Sequence, residues 1–237
     1  MQKRTSLISL LFLLLILEAC KKDTPVSILN ETGTLTDIEG NSYKTVKIGD
    51  QWWMAENLKV KTYTDGTSIP FLDSTQTDSV WINQPGATCC SVDSRYGILY
   101  NWYHINDSRK IAPQGWHIPT DEEWQKLEKE LGMNNGVINN TGWRGTVEAE
   151  KIIPKSSIGW PTDALVFGSN TSGFSALPGG CRLFNGKVNH ESNTAFWWSS
   201  SDMGDEAWYR SIDSKHKTIF RQHTYKKYGF SIRCVKD

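Results

Sequence analysis

Several things are scarce in this chain. There is no surplus of charge of either sign, since 26 Lys plus Arg balance 26 Asp plus Glu in 237 residues. Such neutrality gives no electrostatic footprint for nucleic acid or for a polybasic membrane contact. No apolar run reaches the roughly 20 residues that a membrane-spanning helix needs. The greasiest stretch, Leu7 to Leu17, stops at Glu18 and is followed by Lys21, Lys22 and Asp23. The five histidines, His104, His117, His190, His216 and His223, have no HxxxH or HxH spacing, which disfavours zinc. No Gly-x-Ser-x-Gly elbow marks a hydrolase. Asp37, Glu39 and Asn41 around Gly40 lack the later bidentate carboxylate of a calcium loop and read as a turn.

What is present begins with an address. Lys3 and Arg4, the run Leu7 to Leu17 and then Leu17-Glu-Ala-Cys20 follow the plan of a secretory signal ending in a lipobox-like sequence. The expected arrangement is a signal peptide over residues 1–19, a lipid on Cys20, and a tether over residues 20–33 with Pro25, Ser27, Asn30 and Gly33. The domain then runs over residues 34–237. Lys21 rather than Asp after the cysteine favours the outer membrane or cell surface, so the membrane partner is met through the anchor alone. Export permits disulfides among Cys89, Cys90, Cys181 and Cys234. Three pairings are open, and Cys181 with Cys234 is favoured because both fall in expected strands.

Strand signals come in two blocks. Thr34 to Asp37, Ser42 to Ile48 and Gln51 to Met54 read as three short strands joined by turns at Gly40 and Gly49. The second block holds Gly179 to Phe184 with an Asn185-Gly186 turn, then Phe196-Trp-Trp-Ser, Ala207 to Ile212, Thr218 to Thr224 and Phe230 to Val235. Between the blocks, Thr120 and Glu123 form a capping box. Trp124, Leu127 and Leu131 make one apolar face, and Gly132 ends the helix. Glu122, Glu123, Glu128 and Glu130 read as its cap and solvated face. A shorter helix is expected around Tyr96 to His104, and a long loop from about 133 to 175.

Several of these segments recur together in one known family. Asp37-Ile-Glu-Gly-Asn-Ser-Tyr, Trp53-Met-Ala-Glu-Asn-Leu58, Tyr96-Gly-Ile-Leu-Tyr-Asn-Trp-Tyr103, Gly115-Trp-His-Ile-Pro-Thr-Asp-Glu-Glu-Trp124, Gly173-Phe-Ser-Ala-Leu-Pro-Gly-Gly180, Trp198-Ser-Ser and Gly229-Phe-Ser-Ile-Arg-Cys-Val235 resemble the Fibrobacter succinogenes major paralogous domain family. The chain departs from it at Ala112, where a cysteine is expected, and at Cys181, where an aromatic is commoner. More distantly it is similar to the formylglycine-generating enzyme group. That similarity implies an α+β, C-type-lectin-like fold: two helices packed on twisted antiparallel strands, with residues 133–175 as the long loop. The oxidase chemistry of that group uses two close thiols on copper. Cys234 has no neighbouring cysteine in sequence, so no enzyme activity and no cofactor are expected.

The eleven tryptophans carry what remains. Adjacent residues on a strand face opposite ways. Trp53 and Trp198 lie in the family motifs, so the resemblance implies that they pack inside, which leaves Trp52 and Trp197 to the outside or to a loop cover. Trp143, Arg144 and Trp160, among Asn139, Asn140, Asp163 and Asn170, make the loop the expected ligand site; the alternative is that its tryptophans anchor it to the core. His117 is expected to be packed and hydrogen-bonded. The function these features favour is a non-catalytic surface binding module for glycan or protein, with a structural or assembly component of the cell envelope or an appendage as the alternative.

Overall fold

The computed structural model describes residues 30–72, 81, 88–90, 94–155, 159–161, 168–189 and 193–237. The first elements are β1 (Thr32–Thr36), β2 (Ser42–Ile48) and β3 (Gln51–Met54), an antiparallel meander. Its turns need left-handed backbone, supplied by Gly40 at φ +82° and Gly49 at φ +58°. Asp37 shapes the first turn. Its Oδ1 accepts the backbone N–H groups of Glu39 and Asn41, while Oδ2 accepts from Asn41 Nδ2 and the Tyr43 hydroxyl. Both carboxylate oxygens are thus committed to the turn.

Next come β4 (Phe71–Leu72), β5 (Thr88–Cys90) and β6 (Ile98–Asn101). The helix expected around Tyr96 to His104 is instead this strand, flanked by single 3-10 turns at Ser94–Tyr96 and Trp102–His104. Ile98 to Asn101 are all buried, as in a strand covered on both faces, where the apolar run carries no period. Gly97 at φ +79° sits against Asn57 and Leu58 and separates the first turn from the strand.

After β7 (Trp116–His117) comes α1 (Asp121–Glu130), with the expected capping box between Thr120 and Glu123. Its end is a Schellman closure: Gly132 N–H bonds Lys129 O and Met133 N–H bonds Glu128 O, with Gly132 at φ +99°. Trp124, Leu127 and Leu131 enter the core as expected. Glu128 does not belong to a solvated face; it is completely buried.

The stretch expected as one long loop contains β8 (Gly142–Arg144) and α2 (Glu148–Ile152). Ala149 and Ile152 give that short helix an apolar side in the core, and β8 adds itself to a sheet edge. The remaining strands are β9 (Cys181–Arg182), β10 (Val188–Asn189), β11 (Thr194–Met203), β12 (Glu206–Asp213), β13 (Ile219–Tyr225), β14 (Gly229–Phe230) and β15 (Val235–Lys236). The fold class is α+β, dominated by antiparallel pairing.

Among the described residues three sheets result, in the orders β1-β2-β3-β15-β7, β10-β9-β14-β6-β5-β4 and β11-β12-β13-β8. Strand β11 joins the third sheet to the second, because Gly180 N–H bonds Thr194 O, Trp198 N–H bonds Ser231 O, and Ser231 N–H bonds Phe196 O. One face of β11 sends Ala195 and Trp197 into a core with Trp53, Trp124, Trp160 and Phe174. The other sends Trp198 into a second core with Tyr43, Met54, Leu58, Tyr100 and Phe230. The outward or loop-covered placement expected for Trp197 is therefore corrected. Alternation holds, but both faces of this strand are interior.

Cys181 and Cys234 are free and buried. The expected bridge is not formed, and the two do not share a sheet: Cys181 opens β9, while Cys234 precedes β15. Burial pushes the Cys181 thiol up to about 12, and Cys234 is raised further, by burial first and then by the Asp237 carboxylate. The side chains of Cys89 and Cys90 lie outside the described residues, as do Cys20, the signal and most of the tether. No described helix is long and apolar enough to cross a membrane.

Candidate functional site

The sheet β11-β12-β13-β8 has two unlike faces, and they separate the sequence-based candidates. On one face α1 lies over three arginines. Arg210 Nε donates to Glu128 Oε1 at 2.6 Å and its Nη1 to Asp121 Oδ1 at 2.7 Å. Arg221 Nη2 reaches Asp121 Oδ2 at 2.6 Å, and Arg144 Nη2 reaches Glu128 Oε1 at 2.9 Å. Burial alone would raise the Asp121 carboxyl, but the Arg221 and Arg210 guanidinium groups outweigh it and hold it below the usual carboxylate range. Desolvating such charges costs several kcal/mol per ion, which these paired contacts offset. Arg144 is thus a buried strut between sheet and helix, and the ligand role expected for it is corrected.

The other face carries rings. Across the four strands one row reads Phe196, Ser211, Phe220, Trp143, each residue the register partner of the next. Cross-strand aromatic pairs of this kind are a unit of sheet stability. Trp143 meets Phe220 edge-on at 5.1 Å and stacks on the His216 ring at 3.9 Å. Phe220 leads to Tyr209 at 6.1 Å, Tyr209 to Phe230 at 5.0 Å, Phe230 to Tyr228 at 5.7 Å, and Tyr228 to Phe184 at 5.8 Å. Phe196 stacks on Phe230 at 5.0 Å.

The inner members of this strip form the margin of the second core. Its ends are open: Trp143 is 37% exposed and Phe184 49%. Phe220, Tyr209, Phe196 and Tyr228 are half-buried. Polar groups interleave, with Gln222 opposite Tyr209 and Thr224 opposite Ala207. Asp213 holds His216 through both carboxylate oxygens at 2.9 Å. Burial pushes the Tyr209 hydroxyl up to about 12, so it stays protonated and can donate a hydrogen bond.

The other expected ligand residues fall elsewhere. Trp160 is buried in the first core, its Nε1–H bonded to Ala176 O at 3.0 Å, so it anchors the segment. Trp52 is half-buried, with its ring alongside Gly33 of β1. Asp163 lies outside the described residues. His117 is hydrogen-bonded as expected, to Glu123 Oε1 at 2.8 Å and Asp237 Oδ1 at 2.6 Å, although it is only half-buried. Beside it a cleft of about 540 Å³ is lined by Asp37, Ile38, Lys110, Gln114, Trp116 and Asp237.

The motifs that carried the resemblance occupy the framework behind these surfaces. Asn57 Oδ1 accepts from Trp197 Nε1 and Arg233 Nε, while its Nδ2 donates to Tyr96 O and Ser231 Oγ. Three motif segments, together with Trp197, therefore meet at one amide. The family model of the Fibrobacter succinogenes major domain matches residues 46–236. The chain belongs to this family. The Fibrobacter succinogenes major domain thus spans both cores, the arginine layer and the whole aromatic strip. No curated protein and no solved structure matches the chain.

Phe196, Tyr209 and Phe220 were not singled out from sequence. Their signal is the alternation Phe196/Trp198, Tyr209/Ser211 and Phe220/Gln222, which becomes a surface only once the hairpin register is known.

Proposed function

We propose that the domain is a non-catalytic binding module that takes the ring faces of a glycan on the strip from Trp143 to Phe184. The observation that carries this reading is the register-aligned row Phe196, Ser211, Phe220, Trp143 with open ring edges at one side. Aromatic faces offer stacking area at fixed geometry, and interleaved hydroxyl, amide and imidazole groups suit a polar ligand. The β8 edge of this sheet offers little for strand-to-strand assembly, since β8 has three residues. That favours recognition by side chains over a structural role in an envelope or appendage.

A C-type-lectin-like arrangement belongs to the same proposal, with the segment from 133 to 175 feeding Trp143 into the site. So does the address: a lipid on Cys20 and a tether to residue 33 would hold the module at the outer membrane or cell surface. The test is a glycan and surface-protein array probed with the soluble domain, its Phe220→Ala form and its Trp143→Ala form. Glycan binding that both substitutions weaken is expected. Binding that survives both unchanged, or binding confined to proteins, would overturn the reading.

A further inference from the structure

Strand β1 ends the five-stranded sheet, with β2 as its one neighbour among the described residues. Lys47 N–H bonds Glu31 O and Asp37 N–H bonds Asn41 O, so the register sets Gly33 and Leu35 toward β2 as the hydrogen-bonded partners of Thr45 and Tyr43. Alternation then turns the N–H and C=O groups of Thr32, Thr34 and Thr36 outward. No described group bonds them, and all three threonines are exposed.

An unpaired strand edge is a template for another chain, and proteins blunt such edges with charge, proline, bulges or brevity. The other described edges are blunted. Strands β4, β7 and β10 have two residues each and β8 has three, while the outer side of β11 is taken by Gly180, Ser231 and Pro119. Strand β1 is five residues, Thr-Gly-Thr-Leu-Thr, with no charge, no proline and an unbroken register.

We propose that this edge binds a second copy of the chain, β1 against β1 in antiparallel pairing about a two-fold axis at Thr34. The strand is self-complementary in that register. Thr34 meets its own copy and Thr32 meets the partner's Thr36, so every outward N–H faces a carbonyl and each threonine faces a threonine, a favourable cross-strand pair. In the alternate row Gly33 lies opposite the partner's Leu35, at the roughly 4.5 Å Cα spacing of a non-hydrogen-bonded pair. Gly33 is where the Trp52 ring reaches the edge, since a Cβ there would lie 3.6 Å from it. The half-buried Trp52 ring thus gains the partner's Leu35 as a cover. Glu31 comes opposite the partner's Asp37. Lys47 answers Glu31 at 2.9 Å, and both Asp37 oxygens are engaged in their turn. Each copy offers one such edge among its described residues, so the pairing closes at two and builds no fibre. The surface lies apart from the aromatic strip and stands without the glycan reading.

The experiment is sedimentation equilibrium of the whole chain from residue 20 onward, carrying Cys20→Ser so that no thiol there links two copies. Five paired residues bury less than a standard interface, so the range runs from about 10 μM to about 1 mM. A reversible monomer–dimer equilibrium is expected. Thr34→Lys sets two like charges on the axis, and Thr34→Pro removes the central donor. Each should weaken association by about tenfold or more with the circular dichroism of the parent. If the proline form loses its fold, the lysine form decides. Trp52→Ala should weaken association several-fold, and Phe220→Ala, on the aromatic strip, should leave it unchanged. A chain that stays monomeric throughout, association that Thr34→Lys leaves intact, or association that Phe220→Ala abolishes would overturn the proposal.

Discussion

Arg233 Nε is held by Asn57 Oδ1 at 2.9 Å, although 176 residues separate the two in sequence. The same amide oxygen also receives Trp197 Nε1 at 3.0 Å. Asn57→Leu keeps the volume and removes every polar bond. A hydrogen bond to a charged group contributes about 1.5 to 3 kcal/mol, and an orphaned buried donor adds its own cost. Urea unfolding of this variant should therefore show a loss of about 3 kcal/mol or more. A loss under about 1 kcal/mol would mean that the amide is not the hub its contacts indicate.

Trp197 and Trp143 should behave as opposites. Trp197→Ala empties a site in the first core and should cost about 3 to 5 kcal/mol by chemical denaturation. Trp143→Ala loses a stacked imidazole and one edge contact, about 0.5 to 1.5 kcal/mol. Equal losses would place Trp143 inside the framework and remove it from the strip.

His117 gives a pH signature. Burial opposes its charge, but hydrogen bonds to Asp237 and Glu123 outweigh burial and raise its pKa above the ordinary imidazole value. A raised folded-state pKa contributes stability that is complete below the unfolded value, about 6.5, and is lost as pH rises through the folded value. The melting temperature of His117→Gln should fall furthest behind the parent near about pH 5.5, with the gap closing by about pH 9. A gap that widens toward alkaline pH would contradict the pairing.

Cys181 and Cys234 should be chemically silent. With the Cys181 thiol near 12, only about one molecule in ten thousand carries the thiolate at about pH 8. Peptide mapping after iodoacetamide treatment should find both unmodified in the native domain and both modified in denaturant. Native labelling of either would mean that the core around it opens.

Cys20→Ala should abolish acyl labelling of the precursor and leave it uncleaved. Undiminished labelling would remove the proposed anchor.

Local chemistry was legible, and register was not. The capping box at Thr120 and Glu123, the Schellman glycine Gly132 and the Asn185-Gly186 turn are written in neighbouring residues. Trp53 was placed inward because it lies in a family motif, with alternation setting it opposite Trp52. Trp197 was misplaced by the same rule, which says that neighbouring side chains diverge but not whether both sides are covered. Glu128 looked solvated because its partner Arg210 lies 82 residues away in sequence, and Arg144 looked ligand-facing because its own partner is that same buried Glu128. The β6 segment looked helical because a strand buried on both faces has no period to read. Trp143 was selected from its polar neighbourhood, whereas the surface it joins required the pairing of β8 with β13.

The place of β15 between β3 and β7 has a consequence for assembly. Val235 pairs with Trp53 on one side and His117 on the other, so the slot between β3 and β7 is filled by a residue 182 positions downstream of Trp53. Long-range closures of this kind are slow, because the intervening chain must be gathered before any contact repays its entropy. A polypeptide that has emerged only to Ile232 has β3 and β7 facing an empty slot. Native structure should therefore arise late, after nearly all of the domain is free, and stay open to threading through a narrow conduit until then. Pulsed hydrogen exchange during refolding should show the Met54 amide, which bonds Cys234 O, and the His117 amide protected together and last; early protection of Met54 alone would contradict this order.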